Sequence, residues 1–191
     1  FYDAVRGQIK VNGINVREMS QAKLRSMIGL VPQKAVLFTG TVAENISFGD
    51  NNIPMDEIIR VSKIAQADEF ISNMTEGYNA IISQGGTNLS GGQKQRLAIA
   101  RALAKHPDIY IFDDSFSSID FKTEAKLREA LINETKDKTV LIIAQRVTSV
   151  MNADQIIVLD EGEVACIGRH FELIKNCEVY REIVSSQLSE E

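Results

Sequence analysis

Residues 88–103 read NLSGGQKQRLAIARAL, and the polar start of this stretch could bind an anion. Ser90 is a residue type that caps helix N-termini. Gly91 and Gly92 would let a ligand approach the backbone N–H groups at the positive end of the helix dipole, and Gln93 completes the motif. The same residues could also form an ordinary cap after a turn, which taken alone is the commoner case.

A pair of carboxylates forms a second candidate. In IYIFDDSFSSID (109–120), an apolar run predicts a strand that ends at Asp113 and Asp114. The carboxyl ends of strands in open α/β sheets are where ligands bind. One carboxylate there could hold Mg²⁺, and its neighbour could orient or deprotonate an attacking water. Alone, the pair could equally end a strand and cap a loop.

Two glutamines also directly follow apolar strands. Gln33 ends LVPQ, and its amide oxygen could coordinate a cation and a water. Gln145 follows LIIA in the same way. Three strand ends therefore carry Gln33, the Asp113–Asp114 pair and Gln145, and we expect these side chains to share one edge of a sheet.

The elements that must position these residues are predicted from periodicity. Residues 7–16 alternate around Asn12-Gly13, which predicts a β-hairpin. Apolar residues recur at helical spacing over 54–74, which predicts one or two amphipathic helices. A further helix is predicted to begin at Ser90 and to end near Pro107.

The second half of the chain predicts the fold class. Continuous apolar runs at 109–113, 139–144 and 155–160 are typical of strands covered on both faces. A helical pattern between the first two predicts crossover connections and a parallel sheet. An edge strand is expected at 161–168. The predicted fold is α/β, a parallel sheet core with an inserted helical lobe at 54–105 and a small antiparallel β element.

Bulk composition excludes several classes of protein. With 191 residues and a net charge of −5, the chain has no general affinity for nucleic-acid backbones or anionic membranes. Its apolar runs are strand-sized, and its start does not resemble a signal peptide. Cys166 and Cys177 have no metal-type spacing and are expected to be reduced thiols of a cytosolic protein, not a disulfide. The chain lacks an initiator methionine, so we expect it to be part of something longer.

Several motifs in order resemble one protein family. LSGGQKQRLAIARAL and IYIFDDSFSSID resemble the signature and Walker B regions of ABC-transporter ATPase domains, at that family's spacing. Residues 31–49 resemble the Q-loop region of the exporter branch, 117–120 the D-loop, and 141–164 the switch region. The similarity covers nearly the whole chain. It implies a P-loop-NTPase-like fold, with residues 1–191 as a partial ATPase domain incomplete at its N-terminus.

The resemblance also implies cofactors, partners and a location. The cofactors are ATP and Mg²⁺, and the partners are a second ATPase domain and the coupling helices of a transmembrane domain, without nucleic acid. This places the chain at the cytoplasmic face of a membrane. Domains of this family pair head to tail, so the signature helix would cap the partner's ATP. The implied site residues are Asp114 and Gln145 for catalysis, Gln33 and Asp113 for the metal, and Gln33, Ser90, Gly91, Gly92, Gln93 and Asp120 for the nucleotide.

Departures from the family pattern carry further predictions. The GxxxxGK(S/T) loop would lie before Phe1, so residues 1–191 alone are expected to be inactive. Asp114 stands where the family has Glu, Gln145 where it has His, and Gln84 where an acidic residue is usual. Loss of general-base help costs about 10²–10⁴-fold. The pattern therefore resembles the weak-site subunit of a heterodimeric exporter.

Two alternatives stay open. The chain could be a nucleotide-sensing or regulatory half that performs no chemistry. It could also belong to an ABC-type ATPase of chromosome or repair machinery, which the absence of a heptad run and of a basic stripe disfavours.

Overall fold

The computed structural model describes residues 3–50 and 52–188. Phe1 and Tyr2, at the start of the sequence, lie outside the described residues. The chain forms two compact units, Phe1–Leu141 and Ile142–Glu191, and each is described by itself.

Short strands alternate with helices along the described chain. The strands are β1 (Lys10–Val11), β2 (Ile14–Asn15), β3 (Ile28–Val31), β4 (Gly40–Thr41), β5 (Ile81–Ile82), β6 (Ile109–Asp113), β7 (Thr139–Ile143), β8 (Ile156–Asp160) and β9 (Glu163–Gly168). The α-helices are α1 (Gln21–Ser26), α2 (Val42–Ile46), α3 (Met55–Ile64), α4 (Asp68–Ser72), α5 (Gly91–Ala104), α6 (Phe121–Glu134), α7 (His170–Asn176) and α8 (Glu178–Leu188).

The central sheet has the strand order β3-β6-β7. β3 and β6 run parallel, and their register ends with Val31 opposite Phe112. Both residues are buried. Gln33, two residues beyond Val31, and Asp113, which directly follows Phe112, therefore lie at the same carboxyl edge. The predicted α/β class with a parallel sheet is confirmed.

Helix α5 is the centre of the core of the first unit. Its apolar face is fully buried at Leu97, Ile99 and Leu103 and packs against α2, α3 and β3. The helix approaches β3 so closely that a Cβ at Gly29 would lie 3.2 Å from the Ala102 carbonyl oxygen and 2.7 Å from Pro107 Cγ. Glycine at position 29 thus permits the contact that fixes α5 on the sheet.

Two local predictions are confirmed. β1 and β2 form an antiparallel hairpin whose turn residues Asn12 and Gly13 have φ values of 50° and 80°. This left-handed backbone is what a two-residue Asn-Gly turn requires. The helical pattern at 54–74 forms α3 and α4, and its Ile58 and Val61 are buried.

The expectation that every apolar run is covered on both faces is wrong for β7 and β8. Leu141 and Ile143 of β7 are exposed. In β8, Ile156 and Val158 are buried while Ile157 and Leu159 alternate to the surface. Among the described residues β8 pairs antiparallel with β9 and belongs to a separate two-stranded sheet, which leaves one of its faces open.

The expectation of reduced cysteines is also wrong in this structure, because Cys166 and Cys177 form a disulfide. Cys166 lies on β9 and Cys177 directly follows α7. Their Cα atoms are 6.2 Å apart, within the usual range for disulfides. Packing of β8, α7 and α8 around Leu173 and Tyr180 brings them together, which sequence spacing alone could not reveal.

None of the helices within residues 3–50 and 52–188 combines the length and the apolar character needed to cross a bilayer.

Candidate functional site

The start of α5 is a complete capping box. The Ser90 hydroxyl oxygen accepts a hydrogen bond from Gln93 N at 3.2 Å, and the Gln93 amide oxygen accepts one from Ser90 N at 2.9 Å. Gln93 thus acts here as a capping residue. The sequence prediction that Ser90 begins this helix is confirmed.

The capping box leaves two backbone donors at the helix start. First-turn amides have no acceptor inside an α-helix. The Ser90 side chain accepts a hydrogen bond from the backbone N–H of Gln93. The backbone N–H groups of Gly91 and Gly92 then have no acceptor inside the helix. Ser90 and Gly91 are exposed, and the Ser90 hydroxyl proton remains available to donate. Together with the positive end of the helix dipole, these groups can bind an anion.

Gly92 has a second role that the sequence did not reveal. A Cβ at this position would lie 2.9 Å from the carbonyl oxygen of Ser118. At Gly91, by contrast, an added Cβ would meet Ser118 Cβ at an ordinary 3.8 Å. Gly92 therefore allows the helix start to contact the segment that follows β6.

The carboxyl edge of β3 and β6 brings two predicted residues together. Gln33 Nε2 donates a hydrogen bond to Asp114 Oδ2 at 3.3 Å, although the residues are 81 positions apart. Asp113, the last residue of β6, is exposed beside them. The amide oxygen of Gln33 takes no part in the bond to Asp114 and remains available to a cation.

Asp114 has a backbone conformation that places it at the turn after β6. Its φ is 43°, in the left-handed region that few non-glycine residues adopt. The hydroxyl of Ser117 donates to its carbonyl oxygen at 3.0 Å. The carboxylate is thereby held at a sharp turn, where it contacts Gln33 and remains partly open to solvent.

Two buried polar residues that sequence reasoning missed hold this edge. Gln95 Nε2 donates to the Pro32 carbonyl oxygen at 3.0 Å, and the Ser115 hydroxyl donates to the Val31 carbonyl oxygen at 2.8 Å. Gln95 is 3% exposed and Ser115 is 1% exposed. The available signal for Gln95 was a glutamine on the otherwise apolar stripe of α5.

Asp120 caps α6, because its carboxylate accepts a hydrogen bond from Thr123 N at 3.0 Å. Hydrogen bonds from Thr123 hold the pKa of the Asp120 carboxyl below its ordinary value. The residue is exposed, so capping leaves part of the carboxylate accessible.

Gln145 belongs to the second unit and is exposed. Its backbone carbonyl oxygen accepts a hydrogen bond from Gln187 Nε2 at 2.7 Å. The amide oxygen of Gln187 in turn accepts from Val147 N at 2.9 Å. One glutamine of α8 therefore fixes the backbone on both sides of Arg146, a contact 42 positions along the chain that the sequence did not indicate.

The donor set at the β3–β6 edge fits a hard cation. Mg²⁺ is usually held by one or two protein oxygens, with waters and substrate phosphates completing the coordination. The Gln33 amide oxygen and the Asp113 carboxylate are ligands of this kind. The described residues contain no group of three or more His, Cys, Asp or Glu side chains that would hold a metal alone.

Comparison with known proteins identifies the relatives of this chain. The family model described as ABC transporter matches residues 1–117. An ABC transporter B family member 4 of Dictyostelium discoideum is 44% identical over 191 residues, which is 100% of this chain and 25% of that protein. A putative multidrug export ATP-binding/permease protein of Staphylococcus aureus is 41% identical over 98% of this chain and 32% of its own length.

A solved structure gives the same result for the fold. A bacterial Atm1-family ABC exporter with ATP bound superposes with a TM-score of 0.94 at 35% sequence identity, over 98% of this chain and 33% of that chain. The chain thus spans about a third or less of the length of these relatives.

Proposed function

This chain belongs to the ABC transporter family, and from that premise we propose that it is the ATP-binding and ATP-hydrolysing part of an exporter subunit. We further propose that residues 1–191 are part of an ATPase domain in which residues 54–105 form a helical lobe. Similarity to multidrug export proteins and to an ATP-bound exporter supports this function.

The observation that carries the proposal is the start of α5. A capped helix with an exposed serine and two remaining glycine amides is a site for a phosphate. We propose that Ser90, Gly91 and Gly92 contact the γ-phosphate of ATP held by a second ATPase domain. Transport would then depend on this contact closing when ATP is bound.

The chain's own reaction centre is proposed to be weak. Asp114 would serve as general base, but it carries one methylene fewer than glutamate and shares its carboxylate with Gln33. Gln145 can donate a hydrogen bond to a phosphate but cannot carry charge. These two residues support a heterodimer whose partner supplies the stronger base. They also support the second candidate, a nucleotide-sensing half that does no chemistry.

Gln33 and Asp113 are proposed to hold Mg²⁺, which when bound would neutralise phosphate charge. The chain's residues have separate tasks around it. Gln33 donates its N–H to Asp114, which leaves its amide oxygen available to hold the cation, and Asp114 would accept a proton from an attacking water. The Gly92–Ser118 contact keeps the D-loop segment beside the start of α5, and the Asp120 carboxylate caps α6 at the end of that segment.

The remaining partner is proposed to be a transmembrane domain whose coupling helices rest on the segment after Gln33. This arrangement places the chain at the cytoplasmic face of a membrane. It is supported by the similarity to a protein described as an ATP-binding/permease protein, a description that gives both functions to one chain.

The test is Ser90→Arg, alone and with Gly91→Asp, in the assembled full-length transporter. We expect ATP turnover to fall about 10²-fold, because the donors to the phosphate are blocked. Ser20→Arg is the matched control, since Ser20 caps α1 by the same contact, accepting from Lys23 N at 3.2 Å. Its ATP turnover should stay within about twofold of wild type. Normal hydrolysis by the Ser90→Arg, Gly91→Asp protein would refute the proposed contact.

A further inference from the structure

The segment from Val36 to Phe48, which contains β4 and α2, carries two aromatic rings on its surface. Phe38 and Phe48 stack with centroids 4.2 Å apart and are 42% and 57% exposed. With Glu44 and Asn45 they line an open cavity of about 510 Å³. The two rings therefore form an exposed aromatic surface beside that cavity.

The guanidinium of Arg101, on α5, lies against both rings. Its central carbon is 5.4 Å from the Phe38 centroid and 5.6 Å from the Phe48 centroid. Both distances are within the range of cation–π attraction. One side chain of α5 therefore contacts both exposed rings of the 36–48 segment.

The same guanidinium is bonded to the backbone of the segment at two places. It donates to the carbonyl oxygens of Asn45 at 2.7 Å and Val36 at 2.8 Å, and to the Asn45 amide oxygen at 3.1 Å. The planar fork of arginine can make such bonds simultaneously, whereas a lysine ammonium cannot reproduce their geometry.

Asn45 extends this network to the rest of the segment. It is 2% exposed, accepts from Phe38 N at 2.9 Å, and donates to the carbonyl oxygens of Phe38 at 2.9 Å and Thr41 at 3.0 Å. Arg101 and Asn45 together hold both ends and the middle of the segment.

Arg101 has no carboxylate partner among the described ion pairs. Burial lowers the pKa of its guanidinium to about 10, so it remains charged at neutral pH. A desolvated cation satisfied only by carbonyl oxygens and ring faces costs stability, compared with the same residue in water. The hydrogen bonds and ring contacts that offset this cost all lie on the 36–48 segment, so they fix that segment to α5.

We propose that Arg101 is a positioning residue that transmits movement of α5 to the 36–48 segment. The inference rests on the proposed function, in which the start of α5 contacts the phosphate and the 36–48 segment contacts the coupling helices of the membrane domain. One rigid helix then connects the two surfaces, with Arg101 as its attachment to the second.

The test compares Arg101→Lys with Arg96→Lys in the full-length protein by hydrogen–deuterium exchange. Arg96 is a matched control on the same helix: it also lies over a ring, Phe70 at 4.9 Å, and donates to a carbonyl oxygen, that of Gln66 at 2.6 Å. We expect Arg101→Lys to accelerate exchange of the 36–48 amides about tenfold. Arg96→Lys should leave that segment unchanged.

A kinetic measurement tests transmission. In Arg101→Lys we expect kcat for ATP to fall about fivefold with KM for MgATP within about twofold, because no nucleotide contact is altered. If Arg101→Lys protein does not accumulate, Phe48→Leu removes one ring from an exposed site and should raise exchange of the same segment by a smaller factor.

Unchanged exchange of the 36–48 amides in both Arg101→Lys and Phe48→Leu would overturn the proposal. Accelerated exchange over the whole chain in Arg101→Lys, or an unchanged kcat, would overturn it as well. Failure of the proposed function has a different signature. In that case Ser90→Arg leaves ATP turnover unaltered, while the exchange comparison between Arg101→Lys and Arg96→Lys still reports on the attachment.

Discussion

The segments that follow β6 and β7 are held in different ways. The first, around Asp114, is fixed by the buried Ser115, whose hydroxyl bonds the end of β3, and by the close approach of Gly92 to the exposed Ser118. The second, around Gln145, is exposed and is fixed by the side chain of Gln187.

This difference indicates which segment is free to move. Contacts inside a core resist displacement because every lost bond leaves a buried polar group without water. Contacts at a surface can be exchanged for water at little cost. The Asp114 segment is therefore expected to be a fixed reference, and the Gln145 segment to be the adjustable one.

The largest expected effect comes from changing both segments at once. Asp114→Glu combined with Gln145→His should raise ATP turnover of the assembled transporter about 10²-fold, because a longer carboxylate and a chargeable group are introduced. The single variants show which segment limits the rate. Asp113→Glu, the same lengthening one residue away, is the control and should not raise turnover. An unchanged rate in the double variant would mean that both substitutions are neutral.

The next effect concerns the second unit alone. Reducing the Cys166–Cys177 disulfide, which closes a loop with a sequence separation of 11, should destabilise that unit by about 3 kcal/mol. Thermal unfolding with and without a thiol reductant measures the change. The Cys166→Ser, Cys177→Ser variant is the control, since its melting should not respond to reductant. A wild-type melting curve that is equally insensitive would contradict the prediction.

Gly92→Ala should destabilise the first unit by about 2 kcal/mol, because its Cβ would lie 2.9 Å from the Ser118 carbonyl oxygen and force the helix start away. Gly91→Ala is the matched control. Its Cβ has room at 3.8 Å, and alanine has the better helix propensity, so stability should be unchanged or slightly higher. Denaturant unfolding distinguishes them, and equal effects would refute the close contact.

The smallest pair of effects compares the two glutamines directly. Gln95→Leu leaves the Pro32 carbonyl oxygen without its buried donor and should cost about 1–1.5 kcal/mol. Gln187→Leu removes bonds at a partly exposed site and should cost less than about 0.5 kcal/mol. Instead it should accelerate amide exchange around Val147. A larger loss of stability from Gln187→Leu would reverse the assignment of fixed and adjustable segments.

Much of the candidate site could be predicted from the sequence. The serine at position 90 has a strong local preference for a helix start. The apolar runs before Gln33 and Asp113 predicted that these two residues lie at strand ends. Parallel pairing then requires those ends to share an edge, as the Gln33–Asp114 hydrogen bond confirms. The predicted convergence of Gln145 with this edge stays a prediction.

Local preference and periodicity therefore determined where the helices and strands begin and which residues end them, because these properties depend on neighbours within a few positions. Only the tertiary structure decided that Gln95, Ser118 and Gln187 support the candidate residues, that Arg101 holds the 36–48 segment and that the two cysteines meet. Each of those contacts joins residues far apart in the chain or on different elements, and the periodicity of the sequence does not reveal which two residues meet in such a hydrogen bond or close approach.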